Sequence, residues 1–200
     1  MLAVASGPAA WALDSEIPPA PRETLPPARE TGPNVPAPLP RDKQLDALFE
    51  TLKGDDASAA QMAENGIITL WMKSGSDTVD LMMTWAMQAV EKKDYPTALD
   101  FLDRVISMKP DYAEGWNRRA TVYYLTDKYG PAVADMERVL ALEPRHFAAL
   151  AGLGTILREL GDEKRALVAY REALKLDPRL ENVKKAIDDL TAKGVDGRDL

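Results

Sequence analysis

The chain contains one histidine, His146, and no cysteine. An imidazole works as a general base only with a carboxylate to orient it and a nucleophile held beside it in a pocket. His146 follows Pro144-Arg145 in a turn and reads as a solvated turn residue. The lack of cysteine removes disulfides, thiolate zinc sites and cysteine nucleophiles together, and a single histidine excludes multi-histidine metal sites. Adjacent carboxylates occur at Asp55-Asp56, Asp162-Glu163 and Asp188-Asp189. Pairs placed in turns or on a helical cap serve solvation and helix capping rather than acid–base chemistry. Neither GxGxxG nor GxxxxGK[ST] occurs, and calcium-loop spacing is absent. These residues point to a non-enzymatic protein that needs no cofactor and no metal.

The net charge of -7 argues against nucleic acid, which requires a basic stripe to displace counterions, and against docking on an anionic membrane. No segment approaches the roughly 18–20 apolar residues of a membrane span. The apolar run from Leu81 to Val90 is much shorter and fits a buried helix.

The elements that remain are helical and begin after residue 40. Residues 1–12 are short, apolar and rich in small side chains, and Ala10-Trp11-Ala12 fits the small-x-small pattern of a signal-peptidase site. They are expected to be the remnant of an export signal, making the protein periplasmic or exported; the alternative is an Ala-rich N-terminus on a cytoplasmic protein. Residues 13–40 are expected to form a disordered, extended spacer, because nine of the fifteen prolines fall in 17–40 and proline removes amide donors and restricts the preceding residue.

Beyond the spacer, the chain repeats. Pro110, Pro144 and Pro178 are each 34 residues apart, as are Ala98, Ala132 and Ala166, and Met108, Leu142 and Leu176. Small residues recur at Ala86, Ala120 and Gly154, where two antiparallel helices of one unit must approach closely. Polar turns at 92–94, 126–128 and 160–162 divide each unit into two helical stretches. Trp116 and Tyr123, spaced seven apart, share a helical face assigned to the core. Residues 42–73 read as a degenerate helical pair capping the N-terminal end, within a segment 41–78, although Gly66 disfavours helix there. Leu180, Val183, Ile187 and Leu190 form the apolar stripe of a C-terminal capping helix over 181–193, followed by a tail, 194–200.

In these features, residues 79–112, 113–146 and 147–180 resemble three consecutive tetratricopeptide (TPR) units. The second carries Trp116, Ala120, Tyr123, Ala132, Met136, Val139 and Pro144. The third carries Leu150, Leu153, Gly154, Leu157, Ala166, Tyr170, Ala173 and Pro178, and the first, more loosely, Met82, Trp85, Ala86, Ala89, Ala98, Leu102, Val105 and Pro110. Arg119 stands where the family has leucine. The resemblance implies an all-α solenoid of helix pairs that binds a protein or peptide partner in a concave groove. It places in that groove Met83, Met87, Asn117, Thr121, Tyr124, Leu125, Ala151, Thr155 and Arg158. Methionine and other apolar groups exposed there suit an adaptable peptide site. The family's carboxylate clamp for chaperone tails would fall on Met83, Met87, Asn117, Ala148 and Gly152. Only Asn117 fits, so the clamp is not expected. The alternative role is a structural assembly subunit that uses its convex face or its ends.

Overall fold

The computed structural model describes residues 39–196. The expected export-signal remnant at 1–12, spacer residues 13–38 and the tail residues 197–200 lie outside them. Among the described residues there are nine α-helices and no strand: α1 (Arg41–Leu52), α2 (Ala57–Met72), α3 (Asp77–Glu91), α4 (Tyr95–Met108), α5 (Ala113–Leu125), α6 (Tyr129–Leu142), α7 (Phe147–Glu159), α8 (Glu163–Leu176) and α9 (Glu181–Ala192).

Helices α3 to α8 form three antiparallel pairs, and the repeat in the sequence recurs in the backbone. The tight turns between paired helices pass through left-handed residues at Lys93 (φ 59°), Asp127 (φ 57°) and Gly161 (φ 79°), again 34 apart. Only glycine takes this conformation without a steric penalty. Asp94 and Asp162 then cap the second helices, each carboxylate accepting a backbone N–H, from Thr97 at 3.2 Å and Arg165 at 3.1 Å. Asp56 does the same for α2 with Ser58 and Ala59. The carboxylates at 56 and 162 are thus helix caps, while Asp188 and Asp189 are exposed on α9.

Close approach within a pair follows from residue size. Ala86, Ala98, Ala120, Ala132 and Ala166 are all fully buried. At Gly154 an added Cβ would lie 2.7 Å from the Tyr170 ring. Gly154→Ala is therefore expected to destabilise the third pair by about 1–3 kcal/mol through overpacking, read as a lowered urea midpoint. An unchanged midpoint would show that Tyr170 moves aside freely.

Arg119 takes over from the family's leucine with a different contact. Its Nε and Nη2 donate to both oxygens of the buried Asp135 at 2.8 Å, and Nη1 donates to Asp103 of α4 at 2.7 Å. The guanidinium lies 4.9 Å from the Trp116 ring centroid and 5.7 Å from that of Tyr123. Those two aromatics, assigned to the core, are half-buried against its edge. At the other end, Val183, Ala186 and Leu190 of α9 pack onto α8, leaving Lys185, Asp188 and Asp189 in solvent.

The N-terminal pair departs from expectation. It is helical, and Gly66 is accommodated because the Leu48 side chain approaches within 3.1 Å of where a Cβ would stand. It does not pack over the open end of α3–α4, as an N-terminal cap would. Leu45, Phe49, Leu52, Ile67 and Trp71 instead cluster with Phe147, Leu176 and Leu180 of the third unit. Arg179 donates to the Leu52 carbonyl and, at 2.6 Å, to that of Gly54. At the other end of α2, the Tyr112 hydroxyl donates to the Met72 carbonyl at 2.7 Å. The pair is a strap lying across the turns between units. An amphipathic pattern shows that one face must be covered, but not by which surface.

Candidate partner-binding surface

The strap explains why His146 is not a solvated turn residue. The side chain is 2% exposed, stacked on Trp71 with ring centroids 4.1 Å apart and planes 11° apart. Its Nδ1 caps α7 by accepting from the Ala149 amide at 3.1 Å, so Nε2 carries the proton shared with Glu114 Oε2, also at 3.1 Å. Glu114 is itself buried, paired with Arg118 and bonded to the Asn117 amide at 3.1 Å. Burial alone would raise the Glu114 carboxyl; the His146 hydrogen bond, the Arg118 cation and the Asn117 hydrogen bond together outweigh it and hold the group below its ordinary value. The cluster lacks a nucleophile, and the Glu114 carboxylate is fully engaged by His146, Arg118 and Asn117, so it does structural work under the strap.

Two of the nine expected groove residues are lost to the interior. Asn117 belongs to this cluster and is 8% exposed; Met83 is 2% exposed in the core of the first two units. Neither can meet a partner. Both sit at the same repeat position as Ala151, where the later unit keeps only a methyl group.

The remaining seven occupy α3, α5 and α7. Met87, Thr121 and Thr155 share one repeat position and are half-buried; Thr121 and Thr155 each turn their hydroxyls back to a backbone carbonyl, at 3.0 and 3.1 Å. Tyr124 rests against Tyr129, ring centroids 6.0 Å apart, and Leu125 is 45% exposed. Ala151, Thr155 and Arg158 converge on one concavity of about 430 Å³ between α7, α8 and α9, closed on the far side by Leu180, Val183 and Ala186. Gly152 lies on its rim, pressed against α6 so closely that an added Cβ would meet Met136 at 2.9 Å. The Thr155 and Tyr170 hydroxyls are 3.1 Å apart on its wall. Arg158 has no ion-pair partner among the described residues. The wall formed by α9 was not legible as part of the site, since its stripe reads simply as a cap.

A second concavity, of about 360 Å³, opens at the seam between strap and array, where Arg41 and Lys73 face Tyr112 and Glu143. Burial first, then the Glu114 and Asp80 charges, push the Tyr112 hydroxyl above its ordinary range, so it stays a proton donor to Met72. Among the described residues no group of three or more His, Cys, Asp or Glu side chains is placed to hold a metal, and no helix is long and apolar enough to cross a membrane.

Comparison with known proteins gives the same architecture. The tetratricopeptide-repeat family model matches residues 113–146 and 147–180. A TPR repeat-containing protein of Rhizobium etli is 42% identical over 152 residues, covering 76% of this chain and 74% of that protein. Among solved structures, the Sgt2 TPR domain of Aspergillus fumigatus is similar with a TM-score of 0.56 at 21% identity, over 59% of this chain and 80% of the domain. The TPR2B domain of yeast Sti1, solved in a pHsp70 complex, is similar with a TM-score of 0.55 at 18% identity, over 59% of this chain and 99% of the other. At such identities the structural likeness is one of fold.

Proposed function

The chain belongs to the tetratricopeptide-repeat family, and from that premise we propose that it is a non-catalytic adaptor holding a peptide segment of a partner protein along α3, α5 and α7. Members of this family are protein-interaction modules, and that much holds for this chain. The observation that carries the finer reading is the α7–α8–α9 concavity, in which Ala151, Thr155 and an unpaired Arg158 converge. It offers an apolar recess with one cation and a hydroxyl at its edge, the arrangement that fixes both an anchor side chain and a direction. Leu125 and Tyr124 continue the surface along α5. A partner segment that inserts an aliphatic or aromatic side chain and sets a carboxylate or backbone carbonyl against Arg158 satisfies it. Chaperone tails are not the proposed ligand, since the clamp positions Met83, Met87, Ala148 and Gly152 supply no cation.

The test is partner capture with the full chain from its host, followed by titration of the captured partner. Tyr124→Ala and Arg158→Ala are each expected to weaken binding by about 1–3 kcal/mol with little change in thermal midpoint. Tyr123→Ala, whose ring packs against the second unit's core, should lower the midpoint instead. Normal binding by both surface variants, together with loss of binding on changing the opposite face, would replace the groove reading with that of an assembly subunit.

A further inference from the structure

Because the chain repeats every 34 residues, its later units show what the first one lacks. Gly115 in α5 lies so close to α4 that an added Cβ would meet Val105 Cγ1 at 2.9 Å, and its equivalent in α7, Ala149, is fully buried. One turn on, Arg119 reaches back to Asp103 of α4. Further along the same stripe, Val122 and Ile156 are each 1% exposed. In the second and third units this stripe of the first helix is sealed by the second helix of the unit before.

In α3 the equivalent stripe is Leu81, Trp85 and Gln88. The strap packs on the third unit instead, and Leu81 is 48% and Trp85 42% exposed. Trp85 leans on Phe101 of α4, ring centroids 5.5 Å apart, at an open concavity of about 400 Å³ with Lys92 and Asp94 at its edge. Exposed apolar surface at the end of a repeat array is a solubility liability unless covered.

The side chains themselves say what can cover it. Glycine and alanine at the two positions equivalent to Leu81 let a preceding helix close in; the Leu81 side chain holds such a helix away, so a preceding unit packed like the later ones does not fit. The opposite end of the array is closed by α9, whose outer side carries Lys185, Asp188 and Asp189. Contact between unlike ends, which would propagate into a filament, is therefore not offered, and contact between like ends closes on itself. The edge is self-complementary in charge, with a cation, Lys92, beside an anion, Asp94.

We propose that the Leu81–Trp85 face of α3 is the contact of a two-fold homodimer, in which Trp85 packs near the axis against its equivalent in a second copy and Lys92 of each copy lies opposite Asp94 of the other. This surface is distinct from the α7–α9 concavity, so the dimer and the peptide site stand or fall separately.

Sedimentation of the full chain across micromolar concentrations is expected to show a dimer. Trp85→Asp should raise its dissociation constant at least about thirtyfold, and Leu81→Arg should act in the same direction, with helicity unchanged in both. Because the chain has no cysteine, Trp85→Cys introduces the only thiol. Mild oxidation should link two copies through it, whereas Met62→Cys, on the exposed side of α2, should stay unlinked. A chain that is monomeric at every concentration overturns the proposal and assigns the face to a different protein or to the chain's own N-terminal residues. A dimer indifferent to both substitutions on α3 overturns it equally, and failure of Trp85→Cys to cross-link overturns the axial placement.

Discussion

Trp71→Ala is expected to lower stability by about 3–5 kcal/mol, the range for removing a large buried aromatic, and to do so locally. Trp71 is 4% exposed and joins the strap to the array through two rings, His146 at 4.1 Å and Phe147 at 5.1 Å, while packing on Phe49 within the strap at 6.1 Å. Its indole N–H also points at Glu143 Oε2, 3.4 Å away. The three pairs from α3 to α8 hold one another by neighbour contacts that do not involve this ring. Loss of Trp71 should therefore free α1 and α2 while the array persists. Urea unfolding followed by circular dichroism should split into two steps, and amide exchange should accelerate in α1 and α2 first. A variant that still unfolds in one step at the original midpoint would mean that the strap is held by Arg179 and the aliphatic side chains instead.

Glu114→Ala is expected to have an effect of similar size, about 3–5 kcal/mol, for another reason: among the described residues it removes the one carboxylate paired with half-buried Arg118 and buried His146, and leaves the His146 donor unpaired. Its acid response has a definite sign. The folded-state carboxyl titrates below its ordinary value of 4.5, so the group's stabilisation is complete above that pH and is lost as pH falls through the lower, folded value. Urea midpoints measured from pH 7 down to pH 3 should fall steeply in the natural chain. In Glu114→Gln, which retains the shape but cannot ionise, this contribution to the slope should vanish. An unchanged slope would place the acid sensitivity in another carboxylate.

What the sequence made legible is what depends on neighbours along the chain. The prolines at 110, 144 and 178 and the alanines at 98, 132 and 166 recur because each unit meets the same local geometry, and the structure repeats with them. Capping by Asp94 and Asp162 is local in the same sense. The strap contacts are not. Trp71 reaches Glu143, 72 positions away, and Arg179 reaches Leu52, 127 positions away, and no periodicity encodes such a meeting. His146 reads as solvated for this reason: a turn between units faces water in an open solenoid, and only the strap buries it. The same strap removes Asn117 from the groove, while Met83 is taken by tighter packing between the first two units. Arg119 was visible as a departure from the family, but its carboxylate partners, Asp103 and Asp135, each lie 16 positions away on the helices either side. Phe147, a large apolar residue opening a unit beside a turn, was the one sign that something must lie over that edge.

The long reach of Arg179 also sets a timetable for synthesis. The strap is made first, yet its last docking site appears only when residue 179 has been added. At typical elongation rates the 127 intervening positions take about 6–25 s to translate. For most of that interval α1 and α2 have their own pairing but not Phe147 to cover their apolar side, and Leu176 and Leu180 arrive only at its end. The helix pairs behind them can form one after another as they emerge, since their contacts are short-range. The final event joins α1 and α2 to the end of α8, so the clasp closes only after the three helix pairs between them have been made.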